Sequence, residues 1–322
     1  MALICYHSSH EQFAPSELIT YAVRAEKAGF AGIHSSDHFH PWSERQGHSG
    51  FSLGWIAAAM QATSLPFSMV CAPGQRYHPA IIAQALATLD EMFPGRIDME
   101  LGSGEALNEV ITGEDWPVKE VRNRRLLECA QIIRRLLNGE TVNHNGHVKI
   151  REARLYTLPR KQPRLLCAAI SNETAAWAGS WADGLLTTVE SDETKNAEKI
   201  DLFRKNGGGD KPVFLQYAFS YARRRADAEQ GAFDQWRSNI LPREKLADLR
   251  RVQEFDAAGE QVTMEDVLEA IPVHTSISEL MEKVSVLEKT GAERIVLHNI
   301  NRPHDEFIDD FGSYTCRKKI NV

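Results

Sequence analysis

Short apolar runs alternate with longer amphipathic stretches from the start of the chain. The apolar runs are typical of buried strands, and the amphipathic stretches space their apolar residues as helices do. In the first half of the chain, this pattern predicts strands at Ala2–His7, Phe30–Ser35, Pro66–Ala72 and Arg96–Leu101, and helices at Pro15–Gly29, Phe51–Ser64, Pro79–Phe93 and Val118–Leu137. The first helix carries proline in its first turn and glycine at its end, which are the usual start and stop signals.

The alternation continues in the second half of the chain, with two interruptions. An Asn-Gly turn predicts an inserted hairpin over about residues 141–159. A charged, mostly helical stretch predicts an excursion over the mouth of the domain at about residues 243–271. Strands are predicted at Arg164–Ala169, Gly184–Val189, Pro212–Tyr221 and Arg294–Asn299, and helices at Asn172–Trp181, Glu193–Asn206, Ile277–Lys289 and near Asp305–Phe311.

Eight strands, most of them followed by a helix, indicate an α/β fold of the (β/α)8 TIM-barrel class rather than an open doubly wound sheet. The first strand is not followed by a Gly-x-Gly-x-x-Gly fingerprint, which also disfavours a dinucleotide-binding domain. Composition does not change along the chain, so we expect residues 1–322 to form a single barrel domain.

Composition and charge narrow the class of protein. With 43% hydrophobic and 25% charged residues, the chain has the composition of a soluble globular protein. A net charge of -7 and a pI near 6.0 disfavour nucleic acid and anionic membranes as partners. No apolar run reaches the ~20 residues of a membrane span, and the five cysteines are scattered. These features predict a cytoplasmic protein with reduced thiols.

Residues able to do chemistry follow several of the predicted strands. Strand 2 leads into Ser36-Asp37-His38-Phe39-His40-Pro41-Trp42, strand 4 into Gly102-Ser103-Gly104-Glu105, and strand 5 into Ile170-Ser171-Asn172. Barrels place their active sites at the carboxyl ends of the strands. Each motif alone also fits ordinary turn or helix-start chemistry. Together they predict an acid–base histidine, a carboxylate, an aromatic ring and a helix N-terminus around one rim.

Three ordered motifs resemble the bacterial luciferase-like flavin oxidoreductases. They are Ser36 to Trp42, Arg76-Tyr77-His78-Pro79-Ala80-Ile81-Ile82-Ala83-Gln84, and Gly102-Ser103-Gly104-Glu105-Ala106-Leu107-Asn108-Glu109. The branch that the chain resembles most is the deazaflavin (F420)-dependent glucose-6-phosphate dehydrogenases. The resemblance runs from Phe13 to about Leu186 and returns near Glu282–Asn299.

The resemblance implies a flavin or deazaflavin pocket at the rim and a role for each matching residue. The implied catalytic residues are His38 as the acid–base group, Trp42 beside the substrate, and Glu105 as a proton donor or charge partner. The implied cofactor-binding residues are Asp37, Met69, Val70, Ala72, Ser103, Gly104, Asn108, Ala168, Ala169, Ile170 and Ser171. The family often has a non-prolyl cis peptide at the end of strand 3, so we expect one at Met69-Val70.

Three departures from the family pattern shape the prediction of cofactor and substrate. Ile170-Ser171 replaces a Gly-Gly pair that approaches the cofactor phosphate, and Ala72 replaces a hydroxyl residue. Ser191 replaces a phosphate-binding lysine within the acidic run Glu190–Glu193. These differences favour FMN, whose single phosphate needs one helix N-terminus, and disfavour glucose 6-phosphate as substrate.

The sequence thus predicts an FMN-dependent oxidoreductase that acts on a small organic substrate by hydride transfer or oxygen activation. Reduction by NAD(P)H or by a partner flavin reductase is also expected. The resemblance implies a homodimer formed through early helices, and the apolar residues of Phe51–Met60 either form that interface or pack against the barrel. The first alternative is an F420-dependent dehydrogenase or reductase. A zinc hydrolase using His34, His38 and His40, and a non-catalytic flavin carrier, are alternatives from other classes.

Overall fold

A computed structural model describes residues 1–320, with side chains at all of these positions except 193, 243, 244 and 318–320. The strands are β1 (Leu3–Ser8), β2 (Gly32–Ser35), β3 (Phe67–Cys71), β4 (Ile97–Leu101), β5 (Val142–Asn145), β6 (Lys149–Ala153), β7 (Leu165–Ala168), β8 (Leu185–Thr188), β9 (Val213–Tyr221), β10 (Val273–His274) and β11 (Arg294–Asn299). The α-helices are α1 (Pro15–Ala28), α2 (Ser52–Ala62), α3 (Pro79–Met92), α4 (Ala106–Glu109), α5 (Lys119–Leu137), α6 (Asn172–Gly179), α7 (Glu193–Phe203), α8 (Arg225–Trp236), α9 (Arg243–Asp248), α10 (Val252–Gly259), α11 (Met264–Ala270), α12 (Ile277–Glu288) and α13 (His304–Ile320).

Eight parallel strands close into a barrel in the order β1, β2, β3, β4, β7, β8, β9 and β11, with β11 pairing back to β1. The predicted TIM barrel is confirmed. The expected hairpin is the antiparallel pair of β5 and β6, and the expected excursion comprises α9, α10 and α11. Within residues 1–320, no helix combines the length and apolar character needed to cross a membrane.

The single turn of α4 was not predicted, and neither were helix α8 and strand β10. Helix α8 buries small or polar residues, Ala228, Ala232 and Gln235, and therefore lacks the apolar stripe that marks a helix in sequence. Strand β10 has two residues and extends the far end of β9, where Val273 pairs with Ser220. Neither α8 nor β10 carries enough apolar residues to show a helical or strand period in the sequence.

Strand β3 overturns the expectation of a cis peptide at Met69-Val70. All peptide bonds of the described residues are trans, and β3 pairs in continuous register with β4, including Met69 with Met99 and Val70 with Glu100. A regular ladder accommodates the trans form, which is lower in energy by about 3 kcal/mol. Successive strand residues point to opposite faces, so Val70 lines the barrel interior while Met69 is fully buried on the other side.

Charged side chains close the N-terminal end of the barrel. The carboxylate of Asp98 accepts hydrogen bonds from Arg164 at 2.8 and 3.0 Å and from Arg294 at 2.7 Å, and Arg164 also binds Glu293. The guanidinium of Arg294 lies over the ring of Phe214 at 4.5 Å. This network joins β4, β11 and the start of β7, and it leaves the opposite end of the barrel for a binding site.

His304 at the start of α13 is fully buried and neutral. Its Nδ1 accepts from the Tyr6 hydroxyl at 2.6 Å, and its Nε2 donates to the Asn299 carbonyl at 2.9 Å. Burial lowers the pKa of His304 from 6.5 to about 4. Below pH 6.5 this histidine is therefore protonated in the unfolded chain but still neutral in the folded protein. The free energy of unfolding consequently falls as the pH decreases.

We predict that His304→Gln, which keeps one donor and one acceptor, reduces the loss of stability on acidification. The slope of the unfolding free energy against pH should flatten by up to about 1.4 kcal/mol per pH unit between pH 6.5 and 4. Urea unfolding at a series of pH values measures this slope. The control is His147→Gln at an exposed hairpin position. Equal slopes in wild type and His304→Gln would contradict the prediction.

Candidate functional site

A cavity of about 850 Å³ opens at the C-terminal end of the barrel. The predicted site residues that line it are His38, Trp42, Glu105, Asp37, Val70, Ala72, Ser103, Gly104, Asn108, Ala168, Ala169, Ile170 and Ser171. Met69 does not line it, because its side chain lies on the outer face of β3. The rim thus brings together residues from the ends of β2, β3, β4 and β7.

Asn108 fixes the ring of His38 and its proton. The Asn108 amide oxygen accepts from the backbone N–H groups of Phe39 and His40 at 2.9 and 3.3 Å. Its amide nitrogen must therefore be the group 3.2 Å from His38 Nδ1, and it donates to that atom. Neutral His38 consequently carries its hydrogen on Nε2. Asn108, expected from the resemblance to hold the cofactor tail, positions this loop.

Glu11 faces the protonated nitrogen of His38. It is buried just beyond the end of β1, and its Oε1 lies 3.9 Å from His38 Nε2. Its Oε2 accepts from the hydroxyls of Ser9 and Ser36, both at 2.9 Å, while Oε1 has no hydrogen bond within the described residues. Glu11 was not among the predicted site residues, although its position after the first strand matches theirs.

Asp37 and Glu109 both bind Arg76. Arg76 Nη2 donates to Asp37 Oδ2 at 2.7 Å, and its backbone N–H donates to Glu109 Oε2 at 2.8 Å. The Tyr77 hydroxyl donates to Asp37 Oδ1 at 3.1 Å. Burial raises the pKa of Asp37, while Arg76 opposes that rise, and burial likewise raises the pKa of Glu109. The group forms a rigid, polar wall of the cavity.

Trp42 and Glu105 meet across the rim. Trp42 Nε1 donates to Glu105 Oε2 at 3.3 Å, and the indole contacts the His38 ring edge to face at 4.4 Å. Gly104 makes this possible through a left-handed backbone with φ of +83°. A Cβ at position 104 would lie 3.0 Å from Glu109 Cγ and 3.3 Å from Ala72 Cβ, so a side chain there would be strained by the backbone conformation and would crowd both neighbours.

The opposite side of the cavity carries cations. Lys119, Arg122 and Arg250 line the same cavity as the start of α6, where Ser171 caps the helix. Arg122 is buried, stacks over Trp116 at 4.3 Å and lies 3.8 Å from Asp248. Its Nε is enclosed without a hydrogen-bond partner among the described residues, and burial lowers its pKa. This side is therefore suited to an anionic ligand.

One expectation drawn from a sequence departure needs correction, and another stays a prediction. Ile170 and Ser171 both line the cavity; Ser171 has an ordinary extended backbone, with φ of −108°, and Ile170 is 44% exposed. The effect of these two residues on the choice of cofactor stays a prediction. The acidic run, by contrast, does not line the cavity: Glu190 pairs with Lys199 at 2.7 Å and Asp192 caps α7, while the Glu193 side chain lies outside the described ones.

The floor of the cavity holds a set of histidines that the sequence analysis did not assign together. His7, His34 and His298 line it, and behind them Glu100 is fully buried on β4. Among the described side chains, no group of three or more His, Cys, Asp or Glu residues has a metal-binding arrangement. His40 is directed elsewhere, with Nδ1 at 3.0 Å from the Leu107 carbonyl. The zinc alternative therefore gains no support.

We predict that Asn108→Asp inverts the tautomer of His38. The new carboxylate still accepts from Phe39 and His40, but it presents a lone pair to His38 Nδ1, which must then carry the hydrogen. Turnover should fall about 100-fold, within the range of acid–base contributions. Ring ¹⁵N shifts report the tautomer directly, with Asn145→Asp on the exposed hairpin as control. A His38 that keeps its Nε2–H in Asn108→Asp would disprove the assignment.

Comparisons with known proteins identify the family of this chain. The model of the family described as luciferase-like monooxygenase matches residues 3–294. An F420-dependent glucose-6-phosphate dehydrogenase from Mycolicibacterium smegmatis is 32% identical over 320 residues, covering 95% of this chain and 94% of the relative. The enzyme of the same name from Microbacterium testaceum is 31% identical over 318 residues, with 95% and 94% covered.

One solved structure is similar over almost its whole length. It is described as an F420-dependent secondary alcohol dehydrogenase in complex with an F420-acetone adduct; the TM-score is 0.88 at 27% identity, with 97% of this chain and 98% of that chain covered. The EDTA monooxygenase of Chelativorans sp. BNC1 shares the fold, with a TM-score of 0.71 at 14% identity and 99% and 94% covered. The predicted resemblance is confirmed, and the chain belongs to the luciferase-like monooxygenase family of oxidoreductases.

Proposed function

We propose that this protein is an F420-dependent dehydrogenase that oxidises the hydroxyl group of a small organic alcohol. The observation that carries the proposal is the pairing of Glu11 Oε1, which has no partner among the described residues, with the Nε2–H of His38 across 3.9 Å on the cavity wall. The similar proteins named for F420 support the deazaflavin over FMN, which the sequence analysis preferred.

The cations of the cavity also support the deazaflavin. F420 carries a longer and more highly charged tail than FMN, whose single phosphate needs one helix N-terminus. Lys119, Arg122 and Arg250 all line the cavity and would hold such a tail. Glu173 at that helix start is an exposed competitor; hydrogen bonds from its own backbone N–H and from Ser171 lower its pKa.

F420, when bound, supplies the hydride acceptor. A substrate hydroxyl between Glu11 and His38 would donate to Glu11 Oε1 and accept from His38 Nε2–H. Glu11 then takes the proton as hydride leaves the carbon, and His38 stabilises the negative charge that develops on the oxygen. This gives His38 the role of donor and Glu11 the role of base, whereas the resemblance alone suggested His38 as the base.

Each reacting group is held by a neighbour. Ser9 and Ser36 occupy the second oxygen of Glu11 and leave Oε1 as the basic atom. Asn108 keeps His38 in the donor tautomer, and the indole of Trp42 packs against the His38 ring. Such preorganisation lowers the barrier because the groups need no rearrangement as charge develops.

The distribution of charge supports an uncharged substrate. Among the described residues that line the cavity, the lysines and arginines are Lys119, Arg122 and Arg250, which the cofactor tail would use. The end of β8 presents hydroxyls instead, and Thr187 Oγ1 and Thr188 Oγ1 have no partner among the described residues. A sugar phosphate would therefore lack a cation for its phosphate.

We predict that the protein binds F420 more tightly than FMN and that Arg122→Gln weakens F420 binding about tenfold, equivalent to about 1.4 kcal/mol. Titration by cofactor fluorescence measures both affinities. Arg124→Gln, an exposed position on the same helix, is the matched control and should change the affinity less than about twofold. Tighter binding of FMN than of F420 would reject the cofactor assignment.

We predict that the protein loaded with F420 oxidises simple secondary alcohols such as 2-propanol and does not oxidise glucose 6-phosphate. Loss of the F420 absorption band measures the rate. Glu11→Gln should lower kcat about 100-fold while leaving F420 affinity unchanged, because a neutral amide cannot take the proton. The control is Glu114→Gln at an exposed position. Full activity of Glu11→Gln, or turnover of glucose 6-phosphate, would overturn this assignment.

A further inference from the structure

A line of titratable side chains crosses the barrel interior beneath the cavity. Glu100 Oε2 on β4 lies 2.7 Å from His34 Nε2 on β2, and His34 Nδ1 lies 2.8 Å from His7 Nδ1 on β1. All three residues are at most 2% exposed. His7 and His34 line the cavity, whereas Glu100 lies behind them. The three form a continuous chain from the cavity floor to a buried carboxyl group.

Strand register places these residues in contact. His7 and His34 are direct partners in the parallel pairing of β1 with β2, and both point inward. Glu100 is two strands away, and its length allows it to reach across the barrel to the far nitrogen of His34. The Gln216 amide and His298 pair separately at 3.0 Å, so His298 is a neighbour of this chain and not a member of it.

The two short distances allow two arrangements of hydrogen in which both histidines are neutral. In the first, Glu100 is a carboxylate, His34 carries its hydrogen on Nε2 and His7 carries its hydrogen on Nδ1. In the second, with one more proton, Glu100 is a neutral acid, His34 carries its hydrogen on Nδ1 and His7 carries its hydrogen on Nε2. Every short contact keeps one donor and one acceptor in both arrangements, and neither contains a buried imidazolium.

We propose that Glu100, His34 and His7 form a proton relay that makes His7 a second proton acceptor on the cavity floor, separate from Glu11 and His38. A ligand N–H or O–H against the floor gives its proton to His7 Nε2. The hydrogen on His7 Nδ1 then moves to His34 Nδ1, and the hydrogen on His34 Nε2 moves to Glu100 Oε2. One proton enters, one carboxylate is neutralised, and no electrons are exchanged.

The surroundings of the three residues favour a proton on Glu100 over an imidazolium on His7 or His34. His7 faces His298 at 3.8 Å between ring centroids and His34 at 5.0 Å, with His10 and His304 farther away. Burial disfavours a positive charge on these rings and lowers the pKa of His7 and of His298. The buried carboxylate of Glu100 is the one anion in direct contact with this histidine pair within the described residues. The proton should therefore come to rest there.

The test follows the ring nitrogens of the protein without cofactor, so its outcome does not depend on the proposed function. In ¹⁵N histidine spectra at high pH, His7 should be the Nδ1–H form and His34 the Nε2–H form. On acidification both rings should exchange tautomers at one common midpoint, without an imidazolium signal. Infrared spectra should show a buried carboxylic acid appearing at the same pH.

Glu100→Gln separates a relay from a purely structural hydrogen-bond chain. The amide can still accept from His34 Nε2–H, so the resting tautomers should persist, but it cannot take the proton and the joint exchange should disappear. His298→Gln, which changes the neighbouring ring outside the relay, should retain the exchange. If Glu100→Gln does not fold, the infrared band and joint exchange of the wild type still decide the question. An imidazolium on His7 or His34, no exchange in the wild type, or exchange that persists in Glu100→Gln would overturn the proposal.

Discussion

Closure of the barrel is the constraint on which this structure depends. Because β11 pairs with β1 and β8 pairs with β9, half of the strand residues must point into a space that the neighbouring strands seal from water. A polar group there costs free energy unless it finds a partner. Asp98 satisfies this condition at one end through two arginines, and Glu100, two residues later on the same strand, satisfies it through His34. The cavity begins at the C-terminal ends of the strands, above this closed interior.

The sequence was sufficient for the architecture because each element has a local signature. Apolar runs, helical spacing and Asn145-Gly146 each depend on neighbouring residues, so the barrel and its hairpin could be predicted. Helix α8 could not, since its buried Ala228, Ala232 and Gln235 form no apolar stripe. The predicted cis bond at Met69-Val70 was carried over from the family and not from these residues, and the β3–β4 ladder contradicts it.

The site was predictable in location but not in its assignments. The strand-end rule placed His38, Glu105 and Ser171 on one cavity, and the same rule applied to β1 would have found Glu11. The tautomer of His38 could not be inferred, because Asn108 is 70 positions away and its orientation depends on two backbone N–H groups of the His38 loop. The expectation that the acidic run near Ser191 would line the cavity was wrong for a related reason. Charge along the sequence does not show which way Glu190 or Asp192 points, and both are occupied by partners of their own.

The barrel thus has two histidine–carboxylate arrangements, which differ in the distance between the histidine ring and the carboxylate. Between Glu11 and His38 the gap is 3.9 Å, too long for a direct hydrogen bond, and both residues line the cavity. Between Glu100 and His34 it is 2.7 Å, and between His34 and His7 it is 2.8 Å, so no ligand atom can enter. The first arrangement is therefore suited to bind a reacting group, and the second to carry a proton away from a group bound elsewhere. Closure of the barrel produces the short distances by excluding water, and the open rim permits the long one.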